Sequence, residues 1–157
     1  MQDNHLWKRA EALEIRVGPE ITGGFDVGFD EGIPEETKDF LMHFLYWVED
    51  RFSMPVTLWI DMKYKHYLLD PQGKRVRCRF YWAEFQNYPV FENPDDIPVI
   101  ELPVRVERAS REEILRALIE GISRYYTWLF NHISRDWTPD PAETEAVLQA
   151  YLQDKMA

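Results

Sequence analysis

The sequence predicts an α+β fold: a small, mainly antiparallel sheet with a central hairpin, packed against two long helices and a short C-terminal helix. Two observations carry the prediction. Apolar residues recur at three- and four-residue spacing over two long segments, about 34–52 and 111–133. They alternate instead on either side of Asp70-Pro71-Gln72-Gly73, a turn in which proline presets one position and glycine accepts positive φ at another. The 157 residues, 45% hydrophobic and 29% charged, suffice to bury a core without staples and fit a single domain spanning residues 1–157. No internal repeat, low-complexity stretch or linker divides them.

Taken in order, Leu13, Ile15 and Val17 alternate with polar neighbours, as do Phe25, Val27 and Phe29 after Gly23-Gly24. Two short strands joined by a turn are expected there. A helix follows from about Pro34 to Phe52, with proline at the first helical position and Glu35 and Glu36 where the helix dipole favours acid. Its stripe of Phe40, Leu41, Phe44, Leu45, Val48 and Phe52 is widened by Met42, Tyr46 and Trp47. A helix apolar on most sides is buried between layers or else meets a partner, and burial is the expectation here. Two hairpin strands are expected at about Val56–Leu69 and Lys74–Phe85, and a further strand at Pro98–Val104 whose two prolines suit a sheet edge.

Ser110-Arg111-Glu112-Glu113 has capping-box spacing, so the longest helix is expected to start there and run to about Ile133. Ile114, Leu118, Ile122, Tyr125 and Leu129 form one apolar row, with Leu115, Ile119, Tyr126 and Phe130 beside it. Glu112 and Arg116, then Glu120 and Arg124, stand four apart with the acid first. Asp140-Pro141-Ala142-Glu143 opens the terminal helix, which docks through Val147, Leu148, Tyr151 and Leu152.

Turn geometry fixes a register for the hairpin. A three-residue loop with a glycine bulge sets Asp70 against Lys74, Leu68 against Val76, His66 against Cys78, Tyr64 against Phe80 and Met62 against Trp82. That gathers the core-like residues on one face, whereas a slip of one residue scatters both faces. The other face then holds Lys63, Lys65, Tyr67, Arg75, Arg77, Arg79 and Tyr81, the candidate binding residues of this sequence. Six basic residues and one acid lie between positions 62 and 82, a local charge of +5 in a chain whose net charge is −10. Directly opposed cations destabilise a sheet unless water or acid screens them. Two accounts stand side by side. The face is solvated or covered by the protein's own acidic segments, with residues 140–154 the expected source, or it is an anion-binding face with interleaved aromatics.

Catalytic and metal chemistry finds no motif. His5, His43, His66 and His132 include no i, i+4 pair, so no helix offers a two-histidine metal grip. The single Cys78 excludes an internal disulfide and a cysteine zinc cage; facing His66, it reads as packing rather than as a nucleophile with its base. Neither a glycine-rich phosphate loop nor a Gly-x-Ser-x-Gly elbow is present. The expectation is therefore no catalytic residue, no metal ligand and no cofactor.

The order helix, strand, hairpin, edge strand, long helix resembles the core of zincin-type metallopeptidases over roughly half of the chain. The segment Ile114 to Tyr126 stands where that family carries its zinc helix with the motif H-E-x-x-H. Here Glu120, Gly121 and Arg124 occupy the motif's region, and both histidines and the catalytic glutamate are missing. The resemblance implies an inactive relative, and no catalytic residue carries over.

Function is thus expected to lie in binding. The leading reading is a small acidic, non-enzymatic interaction protein, immunity- or antitoxin-like or a bacterial or phage accessory factor, whose partner is another protein. Beside it stand the inactive zincin relative and an anion or nucleic-acid binder using the basic face. Nucleic acid is disfavoured by the net charge of −10, which repels phosphate backbones as a whole-molecule effect. The polar start from Met1 to Ala12 and the lack of a membrane-length apolar run lead to an expected cytoplasmic, membrane-free location.

Overall fold

The computed structural model describes Trp7, residues 24–52, Met54, and residues 57–81, 98–105, 110–131 and 139–156. The elements in order are β1 (Phe25–Phe29), α1 (Glu35–Arg51), β2 (Leu58–Lys63), β3 (Leu68–Leu69), β4 (Arg75–Val76), β5 (Arg79–Tyr81), β6 (Val99–Pro103), α2 (Arg111–Asn131) and α3 (Pro141–Met156). The mixed α and β class is as expected. The strand directions are not: the four-stranded sheet runs β1-β2-β6-β5, and β1, β2 and β6 are mutually parallel. Only β5 pairs antiparallel to β6 within that sheet, and β3 and β4 form a separate two-stranded hairpin.

The reason lies in α1. It carries the chain back across the sheet, so β1, α1 and β2 form a βαβ unit, which requires parallel strands. Local alternation reports that a segment is a strand and is silent about its direction. The expected strand at 13–17, and the ends of the expected elements at residues 55–56, 82–85 and 132–133, lie outside the described residues.

The strand at Val99–Pro103 was expected at an edge and is interior, between β2 and β5. Its prolines escape the usual conflict by position. Pro98 precedes the strand and uses only its carbonyl, accepting the Trp59 N–H at 3.0 Å. Pro103 closes the strand. Val104, the next residue, bonds through its N–H to Lys63 on the β2 side, so the amide position of Pro103 points the other way. There β5 has already stopped pairing, at Arg79 opposite Glu101, and no ladder bond is lost.

One face of the sheet is the core. Leu58, Ile60, Met62, Ile100 and Leu102 are fully buried or nearly so, against Phe44, Leu45, Leu118, Ile122 and Tyr125 from the helices. The apolar rows of α2 are buried as their spacing predicts, through Ile114, Leu115, Leu118, Ile119, Ile122, Tyr125 and Tyr126. Gly121 lets α2 approach the sheet: a Cβ there would stand 2.7 Å from the Cys78 sulfur and 2.9 Å from Ile100 Cδ1. On α1, by contrast, Tyr46 is 58% exposed, so that helix has one wet side rather than none.

The helix starts follow their sequence signals closely. Ser110 Oγ accepts the Glu113 N–H at 3.1 Å while Glu113 Oε1 accepts the Ser110 N–H at 3.4 Å, a reciprocal box. Asp140 caps α3 by accepting the Ala142 N–H at 3.0 Å. Pro34 is the N-cap of α1 rather than its first helical residue; its backbone is extended, and its carbonyl accepts the Lys38 N–H at 3.1 Å. Trp7 is tied into the core by its indole N–H, which donates to Ser123 Oγ at 2.8 Å, and by edge contacts with Phe52 and Tyr126.

Candidate functional site

The hairpin turn forms as the sequence predicts. Asp70 N–H donates to the Lys74 carbonyl at 2.8 Å, the Gly73 N–H reaches the Asp70 carbonyl at 2.9 Å, and Gly73 takes φ of +81°. The Asp70 carboxylate accepts from both Gln72 and Lys74 backbone N–H groups, so the loop is clamped by its own side chain. Leu68 pairs with Val76 and Leu69 with Arg75, both in the expected register.

Beyond those two pairs the long hairpin does not exist. On the N-terminal side, β2 already has β1 on one flank and β6 on the other, so it has no free edge for residues 79–81. Residues Arg79 and Phe80 pair instead with Glu101 and Ile100 of β6. His66 therefore does not face Cys78: His66 is exposed, while the Cys78 sulfur packs inward beside Gly121, where burial raises its thiol pKa to about 12. Trp82, the expected partner of Met62, lies outside the described residues.

The seven candidate residues are consequently spread over three places. Lys63 sits on the outer face of β2 near Asp61, whose carboxyl is raised by burial and by Glu101, Asp30 and Asp26, and lowered by Lys63. Arg79 lies across from Glu101 on the same outer face. It donates Nε to Glu101 Oε1 at 2.8 Å, makes a further ion pair through Nη2, and gives Nη1 to the Leu69 carbonyl at 2.8 Å. Arg77 leaves the hairpin toward α2 and pairs with Glu113 at 2.7 Å. Tyr81 pairs with Val99 through its backbone, and its side chain lies outside the described residues.

Tyr67 and Arg75 remain together at the β3–β4 arm, and Lys65 lies two residues before Tyr67, its carbonyl accepting the Arg105 N–H at 3.1 Å; all three are exposed. The Arg75 guanidinium lies 4.3 Å from the centre of the Tyr67 ring, a cation–π contact that holds both side chains in place while leaving them wet. Leu69 is 49% exposed beside them, and Leu68 on the opposite side of the arm is buried. The acid that screens the basic stretch therefore comes from Glu101 on β6 and Glu113 in the α2 cap. The helix at 140–154 was expected to supply it and spends its carboxylates elsewhere, Glu145 on Arg116 and Asp154 on Arg51 and Trp47.

Sequence reasoning missed both screening acids because Glu101 comes from a strand whose neighbours were unknown and Glu113 was already assigned to the cap. Among the described residues, no group of three or more His, Cys, Asp or Glu side chains is arranged to hold a metal ion, and no helix is long and apolar enough to cross a membrane. No family model, curated protein or solved structure matches the chain.

Proposed function

We propose that this is a non-enzymatic interaction protein that engages a carboxylate-bearing partner through the exposed arm around β3 and β4. One observation carries the reading: Tyr67, Leu69 and Arg75 are exposed on the segments that flank the clamped Asp70–Lys74 turn, with Lys65 exposed two residues before Tyr67. Tyrosine and arginine are the residue types that anchor protein interfaces, and an arginine already stacked on a ring loses little freedom on binding. Arg79 holds the arm to β5 through the Leu69 carbonyl, and Arg77 joins the end of the arm to α2 through Glu113.

The reading is tested on a poly-L-glutamate resin at about 0.1 M salt, where the Debye length is roughly 10 Å. A protein with a net charge of −10 and no organised basic surface flows through such a resin. Retention that disappears in the Lys65→Glu/Arg75→Glu variant, with its unfolding midpoint unchanged, supports the arm as a contact surface. Flow-through of the wild type, or equal retention of the variant, refutes it. Stronger capture on a nucleic-acid resin than on poly-glutamate would redirect the reading to phosphate.

A further inference from the structure

The exposed side of α1 complements the arm. Glu36, Asp39, His43, Tyr46 and Asp50 follow one another at spacings of three and four, which places them along one side of the helix, and each is exposed. The opposite side of the same helix is buried through Leu41, Phe44, Leu45 and Val48. Tyr46, 58% exposed, sits within this acidic stripe. The neighbouring Glu49 belongs to the fold, since it accepts the Phe25 N–H at 2.9 Å. Among the described residues, Asp39 and Asp50 have no such duty.

The two surfaces match in kind. The arm presents cations around Tyr67 and Leu69, and α1 presents carboxylates on either side of Tyr46. Tyr67 and Leu69 are 40% and 49% exposed, so the chain's own α1 does not cover them. We infer that the acidic partner of the arm is α1 of a second copy of this chain, so that copies join head to tail; this rests on the arm being a contact surface. Such a contact uses different patches on the two copies, leaves one arm and one α1 free at the ends, and extends with concentration unless the rotation closes a ring. The net charge of −10 opposes approach at long range. Salt at about 0.1 M screens that repulsion over roughly 10 Å and weakens direct contact pairs less, while about 1 M salt shortens the range to roughly 3 Å. Association is therefore strongest at intermediate salt.

The experiment is analytical ultracentrifugation of three full-length proteins: wild type, Lys65→Glu/Arg75→Glu and Asp39→Lys/Asp50→Lys, with circular dichroism as the check on folding. At about 0.1 M salt the wild type gains mass with concentration, and each variant alone weakens association about tenfold or more. An equimolar mixture of the two variants regains a complex, because one supplies an intact α1 and the other an intact arm. A wild type that stays monomeric to about 1 mM overturns the inference, as does association that both variants retain. Such a monomer that still holds to poly-glutamate through Lys65 and Arg75 sinks self-association alone; one that also flows through sinks the arm as a contact surface too.

Discussion

Gly121 is a residue at which helix and sheet constrain each other tightly. In the middle of a helix glycine is unfavourable, and replacing it with alanine gains about 1 kcal/mol of propensity. Here that gain is opposed by space, since the new Cβ would fall 2.7 Å from the Cys78 sulfur and 2.9 Å from Ile100 Cδ1. Overpacking of this kind costs about 1–3 kcal/mol, so Gly121→Ala is expected to lower stability by up to about 2 kcal/mol in denaturant unfolding. Pairing it with Cys78→Ala makes room for the methyl, and the double variant is expected to lose less than the two single variants added together. Strict additivity would mean that the helix does not approach the sheet at this point. The same contact gives the lone cysteine its role: its sulfur fills space under α2, and burial holds the thiol neutral, with a pKa near 12.

At the scale of elements, the two arginines that leave the hairpin differ in what they fasten. Arg79 ties β5 to β6 through Glu101, whose side chain is 13% exposed, and ties β5 to the arm through the Leu69 carbonyl. Arg77 pairs with Glu113 at the surface, its own side chain 63% exposed, a setting in which ion pairs contribute less than about 1 kcal/mol. Arg79→Ala is therefore expected to shift the unfolding midpoint more than Arg77→Ala does, and the reverse order would count against the β5–β6 pairing. Ser110→Ala removes the cap of α2 and is expected to cost about 1 kcal/mol in the same measurement. These elements also mark where the sequence is legible. Capping boxes, turn chemistry and 3.6-residue periodicity act within a few residues, so α1, α2, α3 and the Asp70–Lys74 turn could be read directly. Direction and neighbourhood of strands depend on crossovers tens of residues long. The parallel β1-β2-β6 arrangement was therefore missed, and with it the Glu101 that neutralises Arg79. Of the seven candidate binding residues, Tyr67 and Arg75 stay side by side because they belong to the locally determined arm.

The whole molecule combines an excess of negative charge with carboxylates that prefer different pH ranges. Glu113, Glu145 and Asp154 are held below the usual carboxylate range, Glu113 first by the Ser110 backbone, Glu145 by Arg116 and Asp154 by the Trp47 indole. Their contribution is present above their unfolded values and is lost as pH falls through the lowered ones. Asp61 and Glu120 are raised, each chiefly by burial. Their protonated forms suit the fold, so the stability they contribute at low pH is lost as pH rises through the raised values. The net charge of −10 adds self-repulsion that grows in the same direction as carboxylates ionise. At the alkaline end, Cys78, Tyr126 and Tyr151 are all raised by burial, so stability falls again once the unfolded chain ionises above 9.0 for cysteine and 10.0 for tyrosine. A thermal scan across pH is therefore expected to peak on the acid side of neutrality, near pH 5–6, within the range where stability maxima usually lie. It should fall below about pH 4 as Glu113, Glu145 and Asp154 take up protons, and gently toward pH 8. Asp61→Asn removes a carboxylate raised by burial and is expected to lessen the loss of stability as pH rises through its raised value. Raising salt to about 0.5 M, which shortens the Debye length, should lift the midpoint more at pH 8 than at pH 5 because the repulsion it screens is larger there. A midpoint that climbs steadily from pH 5 to 8, insensitive to salt, would mean that the lowered carboxylates outweigh both burial and net charge.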